Sequence, residues 1–270
     1  MSKKAILNIT SEKKRDKMLT YTNSSSSSQS GSTTYAVTPA IVTGGSSTPA
    51  CFVWCATGRD NVTNLGAPTK GTKYDQATRS ASSCFMVGLK EALEVQVADG
   101  LPWQWRRICF TYKGGASLLG AIPAPSTSFS ASLEVSSGYV RLMNQLPTVS
   151  RPSFEALLFQ GAQGLDWNDQ MTAKVDNERI TLKYDKTITI ASGNEDGVIR
   201  KYSRFHPMRH NLEYDDDESG GQMVASGFSV NSKKGMGDYW VIDYFRPRAG
   251  STSSNQLLFN AESTLYWHER

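Results

Sequence analysis

Apolar residues along this chain fall into short runs and strict alternations, the patterns of strands rather than of helices. Ala50–Ala56 (Ala-Cys-Phe-Val-Trp-Cys-Ala) is a short run rich in β-formers and predicts a buried strand. Cys84–Leu89 predicts another. Leu93, Val95 and Val97 alternate with Glu94 and Gln96, the period-two signature of a half-buried strand. Asp99-Gly100 predicts a hairpin turn leading into Trp103–Tyr112. In that strand Trp103, Trp105, Arg107, Cys109 and Thr111 share one face, and Gln104, Arg106, Ile108, Phe110 and Tyr112 share the other. Residues 179–184, 186–191, 198–205, 223–230 and 238–245 also predict strands, with a turn cluster at Ser192–Gly197. The closing run Ser263–His268 predicts an apolar tail that packs. Residues 152–159 are one of the few helix candidates, with Pro152 placed to start the helix and Gly161 to end it. About eight to ten strands with long, uneven connections favour a β-sandwich or Greek-key barrel over an α/β fold. No internal repeat accompanies them.

Polar stretches divide the chain. Residues 1–34 predict a basic arm followed by a serine-rich linker, because a tract such as Ser24–Ser28 cannot bury enough apolar area to offset its ordering entropy. Residues 35–270 form the β body. Within it, residues 113–138 are rich in Gly, Ala, Pro and Ser and read as a long loop of the kind that makes interfaces. The 270 residues are 39% hydrophobic and 10% aromatic, enough for a sizeable core without staples. A mean hydropathy of −0.41 and the lack of any long apolar run exclude a transmembrane helix. The first ten residues lack the apolar stretch of a secretory signal. Without a secretory route, Cys51, Cys55, Cys84 and Cys109 read as buried free thiols.

Charge changes the picture more than its total of +4 suggests. Of 29 basic and 25 acidic residues, six and two fall within residues 1–17, which leaves the rest balanced at 23 of each. The excess sits at one end, on Lys3, Lys4, Lys13, Lys14, Arg15 and Lys17. Two readings fit such an end: contact with a polyanion such as nucleic acid, or a solvated terminus.

Motifs of catalysis are missing. The chain has three histidines and no His-Glu-x-x-His, nucleophile elbow or phosphate-binding loop. Pro207 lies between His206 and His210 and argues against a helix that would align them. Asp215, Asp216, Asp217 and Glu218 could offer oxygens to a hard cation, but without the ligand spacing of a calcium loop; a solvated acidic loop is the alternative. We therefore expect neither an enzyme nor a cofactor, and a nuclease or rolling-circle initiator is disfavoured. Basic residues do interleave with aromatics, at Trp103–Arg107 and again at Arg200–His206. Single-strand binders use that combination, which makes Arg106, Arg107, Arg200, Lys201 and Arg204 candidate nucleic-acid contacts. The opposing view places the Trp residues in the core and the Arg residues in ion pairs.

At these residues the chain resembles the capsid proteins of genomoviruses, small circular single-stranded DNA viruses, many of them associated with fungi. Pro102–Phe110 (Pro-Trp-Gln-Trp-Arg-Arg-Ile-Cys-Phe) is similar to their signature block. Lys13–Asp16, Ser83–Leu89, Phe205–Met208, Tyr214–Glu218, Gly235–Tyr239 and Ser263–Glu269 agree in the same order over nearly the whole chain. The resemblance implies a single jelly roll, an eight-stranded antiparallel β-sandwich with long loops and a basic N-terminal arm. The fold would be similar to that of geminivirus coat proteins. It implies a partner in the chain itself, about 60 copies forming a small icosahedral shell, and a second partner in the circular single-stranded DNA genome, with no membrane. Localisation would be the virion, with assembly in the host nucleus. Residues 113–138 and 206–222 would make subunit contacts, and the arm would face inward. One departure concerns that arm, which is milder than the Arg-rich arms of such proteins. About 60 copies at +4 carry roughly 240 charges, against roughly 800 phosphates in a gene of this length. We expect a more basic segment before Met1. A non-viral single-stranded-DNA-binding β protein is the alternative, and a cupin-like enzyme or lectin stands third.

Overall fold

The computed structural model describes residues 9–30, 32, 34–63, 68–114 and 129–270, and half of the chain is strand. Nine strands build two antiparallel sheets: β1 (Glu12–Met18), β2 (Ala40–Thr43), β3 (Ala50–Cys55), β4 (Ser83–Val97), β5 (Trp103–Tyr112), β6 (Thr181–Ile190), β7 (Val198–Glu213), β8 (Asp238–Pro247) and β9 (Gln256–Glu269). In the first sheet β1 and β2 lie end to end along β9, followed by β4 and β7. The second sheet runs β6-β5-β8-β3. Only β5 and β6 are both consecutive in the chain and paired; the other connections either join β1 to β2 or cross between the sheets.

The alternation that predicts the strands also sorts their faces. Leu93, Val95 and Val97 of β4 point inward and pack with Phe52, Trp103, Trp105 and Phe245 of the second sheet. At the other end Met86, Leu89, Leu265 and Trp267 meet Trp54, Cys109, Tyr239 and Val241. These two clusters make the sandwich, and each fully buried large side chain contributes about 2–3 kcal/mol. The second sheet is buried on its outer face as well. There Cys51, Val53, Ile108, Phe110, Trp240 and Ile242 pack against the helix α1 (Arg151–Leu158) and the segment that follows it, through Phe154, Leu158, Trp167 and Met171. Double-sided burial explains why β3 is a continuous apolar run and why β8 is buried along both faces, with Trp240–Ile242 apolar without interruption. Burial pushes the thiols of Cys51 and Cys109 up to about 12, and all four cysteines are free and buried. No helix among the described residues is long and apolar enough to cross a membrane.

Several boundaries differ from the sequence reading. Asp99-Gly100 does not close a hairpin, because β4 and β5 belong to different sheets; the Asp99 carboxylate instead accepts Leu101 N–H at 2.9 Å and Asn255 Nδ2 at 2.8 Å, tying a crossover. The runs at 84–89 and 93–97 are one 15-residue strand, and those at 179–184 and 186–191 are β6, with a register shift between Leu182 and Tyr184. β7 runs on through Pro207 to Glu213, so residues 206–213 are strand rather than loop. Pro207 cannot donate to a ladder, and a register irregularity between Pro207 and His210 absorbs it on this edge strand. Within that irregularity Arg209 has φ of 53°. The strand expected over 223–230 is broken: Gln222–Val224 pairs with Asp217–Ser219, and further on Ser229 makes a single antiparallel bridge to Tyr214. Residues 115–128 of the expected long loop lie outside the described residues; beyond them Glu134–Val135 pairs with Gly138–Tyr139.

The expected arm and linker also change. Residues 12–18 are β1, paired along the full C-terminal half of β9. Thr20–Thr22 pairs in parallel with Arg141–Met143. Asn23 and Ser24, inside the expected linker, are buried: Asn23 Nδ2 donates to Asn144 Oδ1 at 2.7 Å and Ser24 Oγ to Ile41 O at 2.6 Å. The chain's own core holds these two residues, whose short side chains satisfy the backbone there, while Ser25, Ser26 and Ser27 are exposed.

Candidate nucleic-acid interface

The basic residues singled out in the sequence go to four different environments. Lys3 and Lys4 lie outside the described residues. Lys13, Arg15 and Lys17 stand on the outer face of β1, exposed. Lys14 points the other way and is buried. Its Nζ sits 3.2 Å from Glu269 Oε2 and donates to Thr72 O (2.9 Å), Thr78 O (2.8 Å) and Ser80 Oγ (3.1 Å). Lys14 is therefore no DNA contact; it is the inward-facing cation of an edge strand. We expect Lys14→Met to cost about 2–4 kcal/mol of stability, whereas Lys13→Gln, Arg15→Gln and Lys17→Gln leave the thermal midpoint unchanged. Melts of the four single variants check this.

Arg106 and Arg107 are corrected as nucleic-acid contacts for the same reason. Arg106 is buried beneath the second sheet's cover, bound bidentately by Asp185 (2.9 and 2.6 Å) and donating to Gln170 O at 2.6 Å. Arg107 is 1% exposed and points between the sheets. It grips Asp243 through Nε (2.7 Å) and Nη2 (2.9 Å) and donates Nη1 to Glu91. Arg141 enters from the Arg141–Met143 segment, 3.1 Å from Glu91 and 3.4 Å from Asp243, with its guanidinium 4.2 Å from the centre of the Trp54 ring. Ser263 Oγ donates to Glu91 (3.1 Å) and Trp105 Nε1 to Asp243 (2.7 Å), while His206 Nε2 stands 3.5 Å from Glu91. Two cations and two anions thus close a neutral square at the centre of the sandwich. Burial alone would raise the Glu91 carboxyl; Arg107 and Arg141 outweigh it and hold the group well below the usual carboxylate range.

On β7, Arg200 and Lys201 are exposed, and Lys201 pairs with Glu94 at 3.3 Å. Arg204 is half-buried within a ring of Trp105, Tyr184 and Tyr202, each 5.1 to 5.6 Å from its guanidinium, and it donates to the Tyr184 hydroxyl. It is a packing cation.

The acidic run does not converge on a cation. Asp216 turns inward to Arg79 (2.6 and 2.7 Å), while Asp215, Asp217 and Glu218 are exposed. Among the described residues no cluster of three or more His, Cys, Asp or Glu is placed to hold a metal.

What the chain does assemble is a surface the sequence reading missed. The outer face of the first sheet carries an open groove of about 560 Å³, lined on its outer side by Lys13, Arg15, Gln76, Val87, Phe205, Tyr266 and His268. Register builds it: Lys13 opposes His268, which opposes Phe85, and Arg15 opposes Tyr266 in the adjoining outward row. Lys13 and Arg15 have no ion pair among the described residues, in contrast to Lys17, which faces Glu262 at 3.7 Å. The available signal was the period-two reading of Ser263–His268, which sets Thr264, Tyr266 and His268 on one face.

Compared with known proteins, the chain matches no family model and no curated protein.

Proposed function

We propose that this chain is a viral coat protein: an eight-stranded jelly roll that self-assembles, about 60 copies to a small icosahedral shell, around circular single-stranded DNA. The strand order carries the reading. With β1 and β2 taken as one interrupted strand, the sheets read 1-8-3-6 and 2-7-4-5. Such an order arises when a long antiparallel ribbon folds over on itself as two Greek keys, the architecture shared by capsid and lectin domains. Fold alone does not assign function, so the surfaces matter. The second sheet's outer face is covered by the chain's own helix and following segment, while the described residues leave the first sheet's outer face open, with Lys13 and Arg15 free of ion pairs among them beside aromatic rings. That asymmetry suits a wedge with one face toward a polyanion. The resemblance in sequence points the same way, and the protein would then reside in the virion, with assembly in the host nucleus.

Negative-stain microscopy of the purified chain, with nuclease digestion before DNA quantification, tests the reading. Uniform round particles holding nuclease-resistant DNA are expected. Dispersed monomers under every assembly condition overturn it; if these bind oligonucleotides, the chain is a non-viral single-strand DNA-binding protein.

A further inference from the structure

We infer that the outer face of the first sheet binds single-stranded DNA by stacking unpaired bases on Phe85, Phe205, Tyr266 and His268 while Lys13 and Arg15 hold the phosphates. The inference deepens the coat-protein reading by naming the genome contact on that open face, and its test is separable from particle formation.

Geometry comes first. Phe85 and His268 are register neighbours with ring centres 6.1 Å apart, and Tyr266 lies two residues back along β9 in the adjoining outward row. Phe205 belongs to the edge strand β7, yet its ring reaches across its neighbour β4. A Cβ on Gly88 would lie 2.7 Å from Phe205 Cζ and 3.1 Å from Cε2. The missing side chain at Gly88 is therefore what lets the Phe205 ring lie over the sheet and reach the groove beside Tyr266. Four flat side chains from three strands thus share one patch.

Exposure comes second. Phe205 is 51% and Phe85 40% exposed, large rings left to water on a sheet whose inner face is fully packed. A lone exposed ring needs no explanation, but two beside a tyrosine and an imidazole form a surface that something flat and apolar would cover. Burial, and then the neighbouring Lys13, lower the His268 imidazole's affinity for a proton, so at neutral pH it presents an uncharged ring.

Charge selects the occupant. Along this face Glu94 is engaged by Lys201 and Glu262 by Lys17, and Glu213 accepts from Ser83 Oγ, which leaves Lys13 and Arg15 as cations with no ion pair among the described residues. An acidic chain with exposed π-faces fits both features, and unpaired nucleotides supply one phosphate per base. Duplex DNA supplies the phosphates but keeps its bases stacked inside.

Fluorescence anisotropy of the full chain with labelled oligothymidylate, and with a duplex of the same length, tests this across a salt series. Single strand is expected to bind more tightly than duplex. Phe205→Ser with Tyr266→Ser should weaken single-strand binding by roughly tenfold or more and leave the salt slope unchanged. Phe205→Tyr and Tyr266→Phe, which keep the rings, should retain affinity. Lys13→Gln with Arg15→Gln should reduce the slope of log K against log salt by about 0.7 per phosphate lost. Equal affinity for duplex, no effect of losing the rings, or no binding by the wild-type chain overturns the inference. So does a ring variant that alters sedimentation of the chain but not oligonucleotide binding, which would give the face to a second copy. Particles filled with DNA alongside indifferent ring variants would sink the stacking site and leave the coat-protein reading standing. Ring-dependent binding without particles would do the reverse.

Discussion

Replacing Glu91 by Gln lowers the unfolding free energy by about 3–5 kcal/mol, the cost of leaving a buried charge without its partner. Glu91 is fully buried and receives Arg107, Arg141 and Ser263. Without its charge, two guanidinium groups share the single carboxylate of Asp243. For a domain of this size the thermal midpoint should fall by about 10 °C, measurable by circular dichroism, with urea unfolding giving the free energy. The double variant Glu91→Gln/Arg141→Met should recover part of the loss, because Arg107 and Asp243 remain a balanced pair. Losses that simply add would show that the four groups are not coupled. Acid provides a second readout. A carboxyl depressed in the folded state contributes fully above its unfolded value near 4.5 and loses that contribution as pH falls toward the folded value. Wild-type stability should therefore drop below about pH 4.5, and the Glu91→Gln curve should be flatter there.

A comparable loss, about 3–5 kcal/mol, is expected for Asp216→Asn. Arg79 and Asp216 have fully buried side chains and form a two-pronged pair at 2.6 and 2.7 Å. The guanidinium also lies 3.8 Å from the centre of the Tyr214 ring and donates to Arg59 O (3.1 Å) and Ser226 O (2.7 Å). Asp216 accepts further bonds from Ser82 Oγ (2.7 Å) and Ser226 N (2.9 Å). Burial alone would raise its carboxyl, but the bonds from Arg79, Ser226 and Ser82 outweigh that and lower it. Asp217→Asn and Glu218→Gln, at exposed neighbours, should leave the melt unchanged. Equal behaviour of the three variants would show that the Arg79 pair contributes nothing particular.

The strand skeleton was readable because its inward positions are mostly apolar. Trp103, Trp105 and Cys109 share the inner face, and Ile108 and Phe110 the outer, as the alternation from 103 to 112 predicts. Reading failed where an inward position is charged. Six of the seven residues of β1 are charged, so the segment reads as a solvated arm, although Lys14 and Asp16 each find a buried counter-charge in Glu269 and Arg59. Arg107 fails for the same reason: its partners, Glu91 and Asp243, lie 16 and 136 residues away. The strand predicted over 198–205 stops short of Glu213, because an irregularity on an edge strand carries β7 on through Pro207. The aromatic groove was hidden because its rings come from three strands that only the sheet order brings together. The jelly roll, the shell and the genome remain proposals that the strand order and the open face support.

The strand made last in the sandwich occupies the middle of its sheet. β9 pairs with β1 and β2 on one side and with β4 on the other, and Glu269 within it anchors Lys14 near the start. While a ribosome is still adding those residues, the nascent polypeptide has a hole where its hydrogen bonding should close, flanked by two raw edges able to recruit strangers. The sheet therefore closes only once β9 has been made, and contacts spanning some 250 positions make that closure slow. Overproduction at low temperature, or with a holdase present, should favour soluble material over inclusion bodies.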